Sequence, residues 1–325
     1  MRPEVSEWLR LRTSSGQDWD REELARAKGG TTISVVLPAR NEAATVGLIV
    51  EKLRRELIER VPLIDELVVM DSGSADETGA VAAAAGARVV RQHEVLASVV
   101  DQPGKGEALW KSLYVTHGDV VVFIDADLEQ FDPQFAVGLL GPLLADPSVQ
   151  FVKAFYDRPL QAGQTILPAG GGRVTELMAR PLLNLHWPQL AGFVQPLAGE
   201  YAGRRSLLER VPFMSGYGVE IAMLVDVFEL AGLSAMVQVD LGSRRHRNSS
   251  DAALGQMAAQ VYLALLSRIE RHGLGMMAVD PSFDLTQFAR DGDSFVPTTS
   301  VVGVIERPPM VDLAEYRSRA MGIRG

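Results

Sequence analysis

The sequence contains no cysteine among its 325 residues, which excludes disulfide bonds, thiolate metal sites and cysteine nucleophiles. No apolar run reaches the ~20 residues of a membrane span, and the first residues lack the apolar core of a signal sequence. We therefore expect a cytoplasmic protein with no membrane partner. Positive charge is scarce as well, because 41 acidic residues outnumber 32 basic ones and leave a net charge of -9. This balance argues against nucleic acid as a partner.

The amino-acid composition is otherwise that of an ordinary globular protein. Hydrophobic residues make up 47% of the sequence and charged residues 22%. The length is enough for one large α/β domain with an appendage, or for two modest domains. A charged stretch opens the chain, and the character of the sequence changes again after residue 160, where a glycine-rich segment begins. We divide the chain accordingly into 1–30, 31–160 and 161–325.

Short β-branched runs alternate with helical stretches through the first ninety residues. Strands are predicted at 33–37, 64–70 and 87–90, with a helix after each of the first two. Asn41 is a candidate N-cap for the first helix. Ser74 and Glu77 have the spacing of a capping box for the second. This β-α-β-α-β rhythm predicts a doubly wound, mostly parallel sheet. After a helix ending near residue 271 we expect only a polar tail.

Two carboxylates follow the most apolar strand of the chain. Residues 120–124 form an unbroken apolar run, which is typical of a strand buried on both faces. Asp125 and Asp127 follow it, at the end of the strand where α/β sheets bind their ligands. Carboxylate oxygens are the ligands that Mg²⁺ and Mn²⁺ prefer. An acidic, solvated turn explains the same pattern, so other parts of the chain must decide between the two.

Further segments have the composition of anion sites. Lys105 lies between two glycines at a helix start, where backbone and ammonium can both meet an anion, although a capped surface helix would look the same. A glycine run enters a helix beside Arg173, which fits either a phosphate cradle or a hinge. Residues 244–248 place three arginines and His246 just beyond a predicted strand, and a histidine in that position is a candidate metal ligand.

The order of these segments resembles the GT-A glycosyltransferases of the family-two type. That resemblance rests on PARNE at 38–42, DSGSADET at 71–78 and DAD at 125–127. More narrowly, the chain resembles the glucosyl- and mannosyl-3-phosphoglycerate synthases. The narrower resemblance is carried by PGKGEALW at 103–110, GGGRVTEL at 170–177, QPLAGEY at 195–201, GYGVEI at 216–221 and HRN at 246–248. These segments occur in family order and span nearly the whole chain.

The resemblance implies a GT-A, Rossmann-like doubly wound mixed sheet with a helical acceptor-binding part. Residues 31–160 would bind the nucleotide sugar and residues 161–325 the acceptor. It also implies a role for each matching position. The nucleotide sugar would be bound by Pro38, Glu42, Ser72, Lys105, Asp125 and Asp127. Mg²⁺ or Mn²⁺ would be bound by Asp127, His246 and Asp125. The acceptor would be bound by Arg173, Val174, Thr175, Tyr217, Arg244 and Asn248. Glu220, Asp127 and the carbonyl of Leu197 would act at the transferred sugar.

The implied reaction moves a hexose from a nucleotide sugar to the 2-hydroxyl of 3-phosphoglycerate, with retention of anomeric configuration. UDP-glucose, GDP-glucose and GDP-mannose all stay open as donors, because epimers are told apart by a few hydrogen bonds that sequence spacing does not show. Glu220 is expected to orient the sugar, with a nucleophilic role as the alternative. The rival functions are a polyprenol-phosphate hexosyltransferase of the same fold and a catalytically silent sugar-nucleotide-binding protein. The resemblance also implies a homodimer.

Overall fold

The computed structural model describes residues 1–157, 160–162, 165–167, 172–243, 250–274, 283–291 and 294–323. Its centre is a sheet of eight strands. These strands are β1 (Thr13–Ser15), β2 (Ile33–Ala39), β3 (Glu66–Asp71), β4 (Arg88–Arg91), β5 (Val120–Phe123), β6 (Phe151–Asp157), β9 (Tyr201–Arg204) and β11 (Met236–Ser243). Three small two-stranded sheets pair β7 (Leu160–Ala162) with β8 (Thr165–Leu167), β10 (Phe213–Met214) with β14 (Glu306–Arg307), and β12 (Asp284–Asp291) with β13 (Ser294–Val301).

The central sheet has the strand order β1-β11-β6-β9-β5-β2-β3-β4. Strand β9 is antiparallel to both of its neighbours, and the other pairs in the sheet are parallel. The predicted doubly wound mixed sheet is therefore confirmed. The sheet takes strands from all three predicted segments, since β1 precedes residue 31 and both β9 and β11 follow residue 160. The division of the chain into ligand-binding halves stays a prediction.

Eleven helices of the described residues accompany the sheet. They are α1 (Pro3–Leu11), α2 (Arg21–Ala27), α3 (Val46–Arg54), α4 (Thr78–Ala85), α5 (Lys105–Val115), α6 (Gln134–Ala145), α7 (Arg180–His186), α8 (Arg205–Leu208), α9 (Val219–Ala231), α10 (Asp251–Arg271) and α11 (Ala314–Ile323). A π-helical turn, Arg55–Arg60, extends α3, and another, Thr175–Ala179, precedes α7. Among the described residues, no helix combines the length and the apolar character needed to cross a bilayer.

The apolar runs in the central strands are explained by two separate cores. Along β5, Val121 and Phe123 belong to the core on one face of the sheet. Val120 and Val122 belong to the core on the other face, as does Ile124 just beyond the strand. Successive side chains of a strand point to opposite faces, so a strand covered on both sides must be apolar at every position. This burial also holds the strand end, and the carboxylates that follow it, in a fixed place.

Both predicted helix caps are wrong, for a shared reason. Helix α3 begins at Val46, and Asn41 instead accepts a hydrogen bond from the Ala75 backbone N–H at 2.8 Å. Ser74 donates to Asp71 at 2.7 Å, and Asn41 in turn donates its backbone N–H to the Ser74 hydroxyl at 3.0 Å. The loops that follow β2 and β3 lie side by side, so their short polar side chains bond across the two loops rather than to the helices.

The segment predicted as a polar tail contains regular structure. Residues Asp284–Asp291 and Ser294–Val301 pair as an antiparallel hairpin. The hairpin rests on α10, where Gln256 donates to Ser300 at 2.9 Å. Its polar composition is consistent with this position, because a hairpin lying on a helix leaves one face in water. No strand was predicted after residue 271, so the sequence analysis missed this hairpin.

Candidate active site

A cavity of about 600 Å³ opens at the carboxyl ends of β2, β3 and β5. One side, which we call the strand-end wall, is formed by residues at or just after the ends of those strands and by the start of α5: Pro38, Glu42, Ser72, Lys105, Asp125 and Asp127. The opposite side, which we call the helix wall, comes from later elements: Arg173, Val174, Thr175, Tyr217, Leu254, Met257 and Gln260. Leu197 and Glu220 line the same cavity. Every sequence-predicted site residue that the structure describes is thus brought to one place.

Arg244, His246 and Asn248 lie outside the described residues. Their predicted parts in metal and acceptor binding therefore stay predictions. In the sequence, these three residues fall between Ser243, the last residue of β11, and Asp251, the first residue of α10. Helix α10 itself contributes Leu254, Met257 and Gln260 to the helix wall.

Lys105 is the charged centre of the strand-end wall. Its ammonium contacts a carboxylate oxygen of Asp125 at 2.5 Å and one of Glu220 at 2.9 Å. Burial would lower the pKa of Lys105, but the two carboxylates outweigh it and raise the pKa well above the ordinary value. The site therefore holds a permanent cation between two anions.

Glycines make the position of Lys105 possible. Gly104 has φ +105, in the left-handed region, and a Cβ on Gly106 would lie 1.7 Å from the Met214 carbonyl oxygen. A Cβ on Gly199 would lie 2.3 Å from an Asp125 carboxylate oxygen. The first contact, with backbone, leaves no room for a side chain, and the second would displace the Asp125 carboxylate from its position beside Lys105. The glycines flanking Lys105 are thus needed for the close approach of α5 to the segment at 214–216, and Gly199 for the approach of its own segment to Asp125.

The two aspartates after β5 have different environments. Asp125 is partly buried against Lys105, whereas Asp127 is exposed at the cavity surface. The turn between them is held by the Thr45 hydroxyl, which donates to the Ala126 carbonyl at 2.6 Å. Two carboxylates supply the hard oxygen donors that Mg²⁺ and Mn²⁺ select. Within the described part of the chain, no group of three histidine, aspartate or glutamate residues that could hold a metal ion comes together.

The helix wall presents a cation of another kind. Arg173 is exposed, and it forms an ion pair of 2.6 Å with Asp251, whose side chain is 91% exposed. Val174 and Thr175 follow it and are buried. Gly172, with φ +82, has the left-handed backbone conformation immediately before this turn. A guanidinium on a helix start beside a glycine suits a small anion.

The sequence analysis did not predict that residues of α10 line the cavity. Gln260 accepts a hydrogen bond from the Tyr217 backbone N–H at 2.9 Å and so fixes the loop that carries Tyr217. Leu254 and Met257 add apolar surface to the same wall. These positions lie in a helix whose amphipathic pattern is also explained by core packing. The sequence contains no local signal that separates the two roles.

Lys153 was also missed, and it supports the cavity from beneath. It lies in β6, is 1% exposed, and donates to the Ala198 carbonyl at 2.7 Å. Its ammonium also lies 4.7 Å from the ring centroid of Tyr201. Burial lowers the pKa of Lys153 to about 7, although nearby Glu220 opposes this shift. Lys153 therefore holds the backbone that carries Leu197 with a side chain that has lost most of its hydration.

The chain matches known proteins over almost its full length. The family described as "Glycosyl transferase family 2" matches residues 34–196. The glucosyl-3-phosphoglycerate synthase of Mycolicibacterium smegmatis is 49% identical over 94% of this chain and 98% of that protein. The crystal structure of mannosyl-3-phosphoglycerate synthase from Rubrobacter xylanophilus is 42% identical, covers 95% of this chain and 99% of its own, and superposes with a TM-score of 0.88.

A second solved structure was determined with ligands. It is glucosyl-3-phosphoglycerate synthase from Mycobacterium tuberculosis in complex with Mn²⁺, UDP-glucose and phosphoglyceric acid. It is 46% identical, covers 93% of this chain and 98% of its own, and has a TM-score of 0.81. The predicted resemblance is therefore confirmed. The chain belongs to glycosyl transferase family 2 and, within it, to the family of glucosyl- and mannosyl-3-phosphoglycerate synthases.

Proposed function

We propose that this enzyme transfers glucose from UDP-glucose to the 2-hydroxyl of 3-phosphoglycerate, with Mg²⁺ or Mn²⁺ and with retention of configuration. The observation that carries the proposal is that one cavity holds both the carboxylates and Lys105 of the strand-end wall and Arg173 of the helix wall. A nucleoside diphosphate sugar and a small phosphorylated acid need these two kinds of surface. The names and ligands of the similar proteins point the same way.

The strand-end wall is assigned to the donor. Pro38, Glu42 and Ser72 line the part of the cavity at the ends of β2 and β3, where a nucleoside fits the rule for ligands of α/β sheets. Lys105 and the start of α5 face the diphosphate. Asp125, Asp127 and His246 would hold the divalent ion. When bound, that ion would neutralise negative charge on the diphosphate as it departs.

The helix wall is assigned to the acceptor. Arg173, Val174 and Thr175 form the start of a helical turn, whose backbone N–H groups and guanidinium suit a phosphate or carboxylate. Tyr217 lines the same wall. Arg244 and Asn248 complete the set in our proposal. Fixing both charged ends of 3-phosphoglycerate would place its single free hydroxyl, and such positioning is a large part of catalysis.

The transfer forms a bond between the acceptor 2-oxygen and the anomeric carbon, and it breaks the bond from that carbon to the diphosphate. The acceptor proton passes to the leaving phosphate oxygen on the same face, which gives retention. Glu220 and the Leu197 carbonyl orient the hexose hydroxyls. The 2.9 Å contact from Lys105 to Glu220 favours orientation over nucleophilic attack, because a carboxylate paired with an ammonium is a weaker nucleophile.

A donor panel tests this function. Purified enzyme is incubated with 3-phosphoglycerate and, in separate reactions, UDP-glucose, GDP-glucose or GDP-mannose, with Mn²⁺ or with EDTA, and products are read by mass. We expect a hexosyl-3-phosphoglycerate from UDP-glucose and none with EDTA. A preference for GDP-mannose would favour mannosyl transfer, for which the similarity to the Rubrobacter xylanophilus protein is the specific observation.

The rival functions have distinct outcomes in the same assay. Transfer to a polyprenol phosphate, with none to 3-phosphoglycerate, would favour the lipid-linked reaction. Donor binding without turnover would favour a silent sugar-nucleotide-binding protein. The homodimer and the cytoplasmic location belong to the proposal as well. Light scattering of the purified protein measures the oligomeric state directly.

A further inference from the structure

The hydroxyl of Ser72 is bonded to a residue that does not line the cavity. Strands β3 and β4 are parallel neighbours with Asp71 opposite Arg91, so the next residues, Ser72 and Gln92, meet beyond the strand ends. Ser72 lies within 2.8 Å of the side-chain oxygen of Gln92. Gln92 is 3% exposed and is packed behind the strand-end wall. Its side chain is therefore placed to control the direction of the Ser72 hydroxyl.

The orientation of the Gln92 amide is determined by its other partners. Its side-chain nitrogen lies 3.1 and 3.2 Å from the two Asp101 carboxylate oxygens and 2.9 Å from the Gln102 carbonyl oxygen. Both partners are acceptors only, provided that Asp101 is ionised. Burial would raise the pKa of Asp101, but hydrogen bonds from Lys111 and Gln92 outweigh it and lower the pKa. The amide NH₂ must face Asp101, and its oxygen must face Ser72.

This orientation leaves Ser72 without a donor for the cavity. The single hydroxyl proton of Ser72 is donated to the Gln92 oxygen. The backbone N–H of Ser72 is donated to the Ala39 carbonyl at 2.9 Å. What Ser72 can offer a ligand is therefore an oxygen lone pair. A ligand edge that carries an N–H can donate a hydrogen bond to the Ser72 oxygen. A ligand edge that carries a lone pair would be repelled by that oxygen.

Given the proposed function, which places the donor nucleoside at Ser72, we propose that Gln92 is a specificity-determining residue for the base. Through Ser72 it selects bases with a ring N–H on the pairing edge, as in uracil and guanine. Cytosine and adenine carry a ring lone pair at the equivalent position. The selection is by hydrogen-bond polarity, so it does not require Gln92 to touch the nucleotide.

Calorimetric titration with UDP, GDP, CDP and ADP in MgCl₂ tests this proposal without turnover. For the wild-type enzyme we expect the tighter of UDP and GDP to bind at least about tenfold more tightly than CDP and ADP, because a hydrogen bond is replaced by two facing lone pairs. In Gln92→Leu the Ser72 proton is released and can be donated to cytosine. The UDP/CDP affinity ratio should then fall several-fold, with CDP binding more tightly than to wild type.

Further variants make the result specific. Gln150→Leu is the matched control, because the Gln150 side chain donates to the Pro147 carbonyl at 3.3 Å and does not line the cavity. This variant should keep the wild-type UDP/CDP affinity ratio. Ser72→Ala should weaken UDP binding and bring the UDP/CDP affinity ratio closer to one. If Gln92→Leu fails to give a cooperative thermal unfolding transition, Gln92→Met replaces it.

The outcomes separate this inference from the function on which it rests. Equal wild-type affinities for CDP and for the tighter of UDP and GDP would overturn the inference even if glucose transfer is found. An unchanged ratio in folded Gln92→Leu and Gln92→Met would overturn the role of Gln92. Failure of every donor in the transfer assay, with the base preference and its loss in Gln92→Leu both observed, would overturn the function and support the inference.

Discussion

The two walls of the cavity hold their cations in opposite ways. Lys105 in the strand-end wall is 21% exposed and lies between Asp125 and Glu220. Arg173 in the helix wall is exposed and pairs with an aspartate that is almost fully in water. Exposed ion pairs contribute little to stability, whereas breaking a buried one is costly. The strand-end wall is therefore organised before any ligand arrives, whereas the ion pair of the helix wall leaves Arg173 able to exchange Asp251 for another anion.

The largest effect should come from Lys105→Met. The substitution leaves Asp125 and Glu220 close together without their cation, so we expect a loss of about 10²–10³ in kcat. The free energy of unfolding should fall by about 2–3 kcal/mol, because removal of Lys105 leaves the largely buried carboxylates of Asp125 and Glu220 without a compensating positive charge. Transfer assays and urea unfolding measure the two quantities. Lys105→Arg is the control for charge, and wild-type turnover in Lys105→Met would show that the strand-end wall does not depend on this cation.

The second effect concerns Glu220, the carboxylate paired with Lys105 that we propose orients the hexose. Glu220→Gln keeps the shape of the side chain and removes its charge, and we expect kcat to fall by about 10² because the hexose is less well oriented. Glu220→Ala should be slower than Glu220→Gln. Unchanged turnover in Glu220→Ala would refute a role in the site. Formation of a glycosyl azide of inverted configuration by Glu220→Ala in azide would instead identify Glu220 as a nucleophile.

A third, smaller effect tests the helix wall. Arg173→Ala removes a charge-assisted contact, so the KM for 3-phosphoglycerate should rise by about 10- to 100-fold while the donor KM stays within about twofold. Steady-state kinetics with each substrate varied in turn measures this split. Asp251→Asn is the matched variant, because it breaks the same ion pair and keeps the guanidinium. Its acceptor KM should not rise, and an equal rise in both variants would assign the effect to the ion pair itself.

The smallest effect concerns Lys153, beneath the Leu197 segment. Its pKa of about 7 in the folded protein lies below the ordinary value of 10.5. Between these values the unfolded chain binds more protons, so this group makes the folded state more stable as pH rises. Relative to Lys153→Met, the wild-type unfolding free energy should increase by about 2 kcal/mol from pH 7 to pH 9. Urea unfolding of both proteins at both pH values checks this. If the unfolding free energies of the wild type and Lys153→Met changed equally between pH 7 and pH 9, Lys153 would not be desolvated in the folded protein.

The positions that sequence reasoning located best are those that follow strands. Asp125 and Asp127 were placed at the end of β5 because an unbroken apolar run can end only where burial ends. Lys105 was placed at the start of α5 by its flanking glycines, and the helix does begin there. The caps at Asn41 and Ser74 failed because each side chain bonds to the neighbouring loop, about 34 residues away along the chain.

By itself, then, the sequence determined three things about this protein. It showed which strands are followed by carboxylates, which glycines allow a close approach of the backbone, and which family the motifs belong to. These follow from local periodicity and from residue types that few other environments accept. Only the tertiary structure decided that Lys105 pairs with Glu220, that Lys153 supports Leu197, and that Gln92 directs the Ser72 hydroxyl. Each of those contacts joins residues on different elements, and a hydrogen bond or ion pair depends on distance in space, which spacing along the chain does not contain.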